Sequence, residues 1–305
     1  MKKVSVIIPA YNKAELTVET VESVLAQTYG NTEIIVIDDG STDNTKVKLE
    51  PYLDRIKYVY KKNGGACSAR NLGISIARGQ YIGLLDCDDL YLPEKIELSV
   101  NYLEDHPDFG FVHSAAYFID EKGKILRTFS SGDNRCSWIG KKLLLKNFIC
   151  NSTVVAKKSC FEKSGVFDEE IFTPADWDMW LRLAENYKTG YIDKPLTMYR
   201  VSSAYILKNT ELFKNEERKV LEKAFKRNNK LSRRLKGKIF ANAHFRCAQN
   251  YILTDQFAKA KKEMFLSFCK NKFNLIFFLI WVYSLIAPKS LKILLEKKIF
   301  YNFGS

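Results

Sequence analysis

The sequence predicts an α/β chain, with a mostly parallel central sheet wound through helices and a basic, all-helical extension after it. Three observations predict this. Short β-rich runs alternate with helical patterns through the first 115 residues. The runs "VSVII" and "EIIVI" are almost wholly apolar, as strands covered on both faces should be. Beyond residue 205 no strand pattern is evident.

The elements follow in order. "KVSVIIP" reads as a strand, "AELTVETVESVLAQ" as a helix, "TEIIVIDDG" as a strand, "DNTKVKLEPYL" as a helix and "IKYVYK" as a strand. "ACSARNLGISIA" (helix), "QYIGLLD" (strand), "PEKIELSVNYLEDHP" (helix) and "FGFVHSAAYFI" (strand) continue the series. Between 120 and 200 the periodicity weakens. "DEKGK" is a turn, "GKKLLLKNFI" a short helix, "NSTVVAKKSCFEKSGVF" a strand and helix, and "DWDMWLRLAENY" a helix. In that last helix Trp177, Trp180, Leu181 and Ala184 recur at i, i+3, i+4, i+7, which predicts one face on the core. In the basic third, "AHFRCAQNYILTDQFAKAKKEMFLSF" reads as a helical hairpin of tetratricopeptide type.

A length of 305 residues at 46% apolar content excludes general disorder. The net charge of +13 is unevenly spread: residues 1–204 carry 26 Lys+Arg against 28 Asp+Glu, and 205–305 carry 22 against 7. The expected division is therefore 1–204 and 205–305. The basic run at 214–238 has few aromatics and interleaved acids, so no nucleic-acid partner is expected. Seven cysteines with no CxxC pair read as reduced, mostly buried thiols of a cytoplasmic protein. "MKKVSVIIPAYN" is too short in apolar length for a signal peptide and reads as a first strand.

Four motifs fall at predicted strand ends, where open α/β sheets bind ligands. They are Pro9-Ala10-Tyr11, Asp38-Asp39-Gly40-Ser41, "NGGACSARNLG" and "DCDD". The last crowds Asp86, Asp88 and Asp89 into four positions, and mutual repulsion there calls for a cation. In this order and spacing, "VSVIIPAYN", "EIIVIDDGSTDNT", "GGACSARNLG", "YIGLLDCDD" and "DWDMWLRL" resemble the family 2 inverting nucleotide-sugar glycosyltransferases of GT-A fold, over about residues 1–200.

The resemblance implies a Mn2+ or Mg2+ ion held by Asp88, with Asp86 and Cys87 beside the ribose or supporting the metal. It implies that Asp39 accepts the N3 hydrogen of uracil and that Tyr11 packs on the base, with Pro9 also in the nucleotide site. Asp38 reads equally as a turn residue. Gly65 would allow close backbone approach, and Arg70 would face the diphosphate or pair with a loop acid. Asp89 would touch ligand or begin the following turn. Asp176 matches the family's general base, which inversion requires opposite the leaving group; Asp178 is the fallback, with Arg182 as its alternative partner. Two departures stand out. Ala175 replaces the usual Glu before the base, and Val201-Ser202-Ser203 supplies no histidine after Arg200. His106, His113 and His244 read as structural.

Residues 275–287, "LIFFLIWVYSLIA", are too short to span a bilayer. With "KSLKILLEKKIFYNF", where Leu291, Leu294, Leu295 and Phe300 are available for one face, they suggest peripheral attachment to the anionic inner face of the cell membrane, or ordinary helix packing. The function expected is transfer of a sugar, from UDP, to a hydroxyl of a polysaccharide or lipid-linked acceptor. The alternative is a catalytically silent nucleotide-sugar-binding or scaffolding subunit. A Rossmann dehydrogenase is excluded because no GxGxxG follows the first strand.

Overall fold

Val4–Ala10 forms β1, which is buried at every position and pairs in parallel with both Thr32–Asp38 (β2) and Tyr81–Leu84 (β4). Its all-apolar composition follows from that central place. The computed structural model describes residues 1–130, 137–201 and 209–271, with 283, 289–293 and 295. These fall into two units, Met1–Gly140 with Phe148–Val201, and Lys141–Asn147 with Ser202–Ser305.

The first unit holds one sheet of nine strands, in the order β3-β2-β1-β4-β8-β6-β9-β5, with β7 on β6. The remaining strands are Ile56–Tyr60 (β3), Leu90–Tyr91 (β5), Phe109–Ile119 (β6), Ile125–Phe129 (β7), Val155–Lys157 (β8) and Lys188–Arg200 (β9). Helices Ala14–Leu25 (α1), Thr45–Leu49 (α2), Ala66–Ile76 (α3) and Lys95–Asp105 (α4) connect the early strands. β3, β2, β1 and β4 are parallel, as expected. Beyond β4 the sheet is mixed: β8 runs antiparallel to β4 and β6, and β9 runs parallel to β6 but antiparallel to β5.

Lys188–Arg200 was not legible as a strand, because Gly190 and Pro195 interrupt its apolar pattern. Both have a place in the fold. A Cβ at Gly190 would run into the Tyr102 ring, and Pro195 sits where the β6–β9 register shifts. Later in this unit come Lys158–Ser164 (α6) and Ala175–Asn186 (α7). α7 buries Trp177, Trp180, Leu181 and Ala184, and Trp180 stacks on Phe111 of β6 with ring centroids 6.1 Å apart. The apolar stripe in "DWDMWLRLAEN" thereby fixes the helix start at Ala175 beside the sheet.

The second unit contains Gly140–Leu145 (α5) from its second residue onward, Thr210–Arg227 (α8), Arg233–Leu253 (α9) and Phe257–Lys270 (α10). α9 and α10 form the expected hairpin, with Cys247, Tyr251, Ile252 and Met264 in its core. Leu291 and Leu295 are buried in the same core, in line with helix packing, the second of the two readings of this segment. Leu294, Phe300 and, except for Tyr283, the run 275–287 lie outside the described residues. Among the described residues no helix is long and apolar enough to cross a membrane.

Candidate active site

The loops after β1 and β2 brace each other. Asn12, at φ 49°, accepts from Thr42 N at 2.8 Å through Oδ1, while its own N–H donates to Ser41 Oγ at 3.0 Å. Asp43 then accepts from Ala14 N at the start of α1. Pro9 lies buried in β1, and Tyr11, just beyond the strand end, is 48% exposed. That leaves an aromatic face open beside Asp38 and Asp39.

These two acids differ sharply in role. Asp38 accepts from Ser41 N at 2.8 Å and from the Tyr58 hydroxyl at 2.5 Å, so it builds the turn. Asp39 accepts from Lys61 Nζ at 2.6 Å, Gly64 N at 3.0 Å and Gly65 N at 2.7 Å. A carboxylate has about four lone-pair sites, so three donors leave one open. Gly65 has φ 89° and caps α3, a conformation other residues adopt at a cost. The Gly65 N–H serves Asp39, and α3 begins at Ala66, just after it.

In "DCDD" each residue has its own partner. Asp86 Oδ1 accepts from Arg70 Nη2 at 2.6 Å and Asn151 Nδ2 at 2.8 Å. Arg70 therefore pairs with a loop acid, the second of its two expected partners. Cys87 is 7% exposed in the hydrophobic core, and burial pushes its thiol up to about 12. Its side chain is a packing element, which leaves only its backbone for contact with a nucleotide. The Asp88 side chain is 24% exposed, and its Oδ2 meets the Lys13 ammonium at 2.5 Å. Asp89 is 1% exposed. It accepts from Arg200 N at 2.7 Å and from Ser152 Oγ, and burial together with the Asp88 and Asp86 charges holds it well above the usual carboxylate range. It anchors the loop.

Asp176 sits in the first turn of α7, where its Oδ1 accepts from Trp177 N at 2.7 Å. It lies within electrostatic reach of Arg70. Burial opposes the Arg70 charge, but Asp86, then Cys67 and Asp176, hold its pKa above the ordinary value. Asp178 points elsewhere: it is buried and pairs with Arg182 Nε at 2.8 Å. Arg182 in turn donates to the carbonyls of Ser164 and Val166, so Asp178 is structural.

Sequence reasoning missed Lys13, Asn151 and Ser152, and used Arg200 only as a landmark. Arg200 Nε donates to the Asp88 carbonyl at 2.9 Å, and Nη1 reaches the carbonyls of Asp120 and Glu121. No local pattern signals such residues, since each acts on a partner more than 60 positions away. Buried polar atoms with no protein partner include Arg70 Nε, Asn151 Oδ1 and Thr173 Oγ1. Two of them belong to the residues that hold Asp86.

Among the described residues no three His, Cys, Asp or Glu gather around one point. His106 stacks on Tyr102, His244 bonds Glu263, and burial lowers His113 to about 3. Asp88 still fits a divalent cation of hard-oxygen preference, because Lys13 already places a positive charge on its Oδ2. Magnesium in particular takes one or two carboxylates plus substrate phosphates.

A mixed sheet with acids at its strand ends and a helix presenting Asp176 defines a GT-A type glycosyltransferase fold. The family model for "Glycosyl transferase family 2" matches residues 5–160, and the chain belongs to that family. An uncharacterised glycosyltransferase of Rickettsia typhi is 39% identical over 73% of this chain and 71% of its own length. The chondroitin synthase of Escherichia coli is 34% identical over 63% of this chain and 28% of its own. The chain spans about a third of the length of some relatives, such as a Rickettsia felis glycosyltransferase covered to 33%. Among solved structures, the mannosyltransferase PcManGT of Pyrobaculum calidifontis, in complex with GDP-Man and Mn2+, superposes with TM-score 0.62 at 17% identity, covering 98% of this chain and 85% of that one. Staphylococcus aureus TarS 1–349 with UDP-GlcNAc superposes with TM-score 0.59 at 17% identity, covering 88% of each chain.

Proposed function

We propose that the first unit transfers a sugar from a uridine-diphosphate donor to an acceptor hydroxyl with inversion. The observation that carries this reading is the division of labour in "DCDD": Asp89 is buried as an anchor, Asp86 is held through Oδ1 by Arg70 and Asn151, and Asp88, partly exposed like Asp86, meets the Lys13 ammonium at the surface. Tyr11 packs on the base, and Asp39 accepts the uracil N3 proton with its remaining lone pair. Asp86 faces the ribose, Asp88 holds Mn2+ or Mg2+, and Arg70 adds positive charge nearby. A cation held there would supply charge to offset that of the departing diphosphate. Asp176 accepts the proton of the acceptor hydroxyl as it attacks from the face opposite the leaving group, with Ala175 giving it no acidic support.

The TarS complex with UDP-GlcNAc supports a uridine donor, and the PcManGT complex supports a divalent ion. Likeness to a chondroitin synthase supports a polysaccharide acceptor. The excess positive charge of 205–305 suits peripheral attachment to an anionic membrane face. Cosedimentation of the full chain with vesicles containing phosphatidylserine tests the last point.

A thermal-shift panel of nucleotide sugars, with and without Mn2+, tests the whole reading. The expected result is stabilisation by a UDP-sugar with Mn2+, lost in Asp88→Ala, and turnover lost in Asp176→Asn with donor binding kept. Binding with no turnover under any condition would instead indicate a silent nucleotide-sugar-binding subunit.

A further inference from the structure

Lys95, the first residue of α4, is 0% exposed. Its ammonium donates to the Thr153 carbonyl at 2.5 Å and to Ser114 Oγ at 3.3 Å, and lies 5.9 Å from the centre of the Tyr91 ring. Among the described residues no carboxylate bonds it. Burying a lysine without a counter-charge is costly, and a well-packed apolar side chain of similar volume commonly serves stability as well or better. Stability alone therefore gives no reason for a lysine here.

What the lysine holds supplies a reason. Thr153 ends a single helical turn, Asn151–Thr153, that no local sequence signal announced. The turn is the scaffold of "DCDD". Asn151 Nδ2 donates to Asp86 Oδ1 at 2.8 Å. Ser152 Oγ accepts from Asp86 N at 3.0 Å and donates to Asp89 Oδ2. Just past the turn, the Val154 carbonyl accepts from Leu84 N at 3.2 Å, at the end of β4. Lys95 is the charged group that fastens this turn from the core side, opposite the acids.

We propose that Lys95 is a positioning residue: by holding the Thr153 carbonyl it fixes the Asn151–Thr153 turn, and through it the geometry of Asp86 and Asp89 needed for transfer. The inference rests on the glycosyltransferase reading for its kinetic consequence, but its structural half stands apart from it. Burial lowers the Lys95 pKa to about 7, in keeping with a dry site behind the turn. His113, on β6, is the neighbour that feels its charge.

The test is Lys95→Met in the full chain, read three ways. The melting temperature should stay within about 5 °C of wild type, since the desolvation relieved offsets the bond lost. Amide hydrogen exchange in peptides covering 84–92 and 150–155 should speed up by about tenfold or more as the turn loosens. Turnover of the donor found in the panel should fall about tenfold or more, with the fall mainly in kcat. A purely structural lysine would lower the melting temperature and activity together. Unchanged exchange in both peptides overturns the proposal, as does turnover within about twofold of wild type. Should wild type turn over no donor, the enzyme reading fails while exchange still decides the positioning role. Should Lys95→Met not fold, the lysine is a stability element and the proposal falls; Asn151→Ala then shows separately, by exchange at 84–92, whether the turn holds Asp86.

Discussion

The two units bury acids in contrasting ways. In the helical unit Glu216, Glu217 and Glu263 are all buried, and each meets a basic side chain: Lys219 at 2.8 Å, Arg246, and Lys214 at 2.8 Å with His244 at 2.7 Å. In the sheet unit Asp39 and Asp178 likewise meet Lys61 and Arg182, but Asp38 and Asp89, equally buried, rely on hydroxyls and main-chain N–H groups. Among the described residues, the buried side-chain polar atoms left without partners, Arg70 Nε and Asn151 Oδ1 included, lie in the sheet unit. A buried acid by itself therefore marks no site. Acids whose surroundings leave polar atoms over do, because a ligand can complete what the protein leaves open.

The sharpest way to break this contrast is to remove the ligand-facing acid. Asp88→Ala should cut turnover by about a thousandfold or more, with melting within about 2 °C of wild type, because only an exposed ion pair is lost. Asp176→Asn should cost about a hundredfold to ten-thousandfold in kcat while the donor still binds in calorimetry.

Next come the buried anchors. Glu263→Gln should destabilise the protein by about 3 kcal/mol in chemical denaturation, since it leaves Lys214 and His244 facing a neutral group, yet donor affinity should be unchanged. Asp89→Ala should cost a similar amount and abolish turnover as well. If both variants lost only stability, the distinction between the units would disappear.

Acid should also separate them. His113 titrates near 6.5 when unfolded and is lowered to about 3 when folded, chiefly by burial. The unfolded chain therefore binds more protons between those values, and stability falls as pH drops through them, by roughly 3 kcal/mol between pH 6.5 and 4. In the helical unit burial opposes the Glu263 charge, but His244 and Lys214 outweigh it and hold its pKa below the ordinary glutamate value of 4.5. That contribution is full above 4.5 and is lost only below it. Hydrogen exchange on acidification should open β6 before α10. The smallest effect expected is that of Lys13→Ala on stability, below about 1 kcal/mol.

Much of this was legible in the residues. Apolar runs of period and length suited to covered strands identified β1 to β4 and β6, and the stripe in α7 located Asp176 at a helix start. The strand-end motifs carried the family. The excess charge and helical patterns after 205 marked a second region, although nothing local signalled that Lys141–Asn147 belongs with it.

The sequence by itself thus determined the order of elements and the set of acids at the strand ends, because both depend on local periodicity and on which residues adjoin a turn. Tertiary structure decided which partners each acid meets. Asp39 and Asp38, Asp88 and Asp89, and Asp176 and Asp178 are near-identical neighbours in sequence, told apart only by Gly65, Lys13, Arg200 and Arg182 meeting them in space. The role of a carboxylate is set by its burial and its hydrogen-bond donors, and most of those donors come from distant parts of the chain.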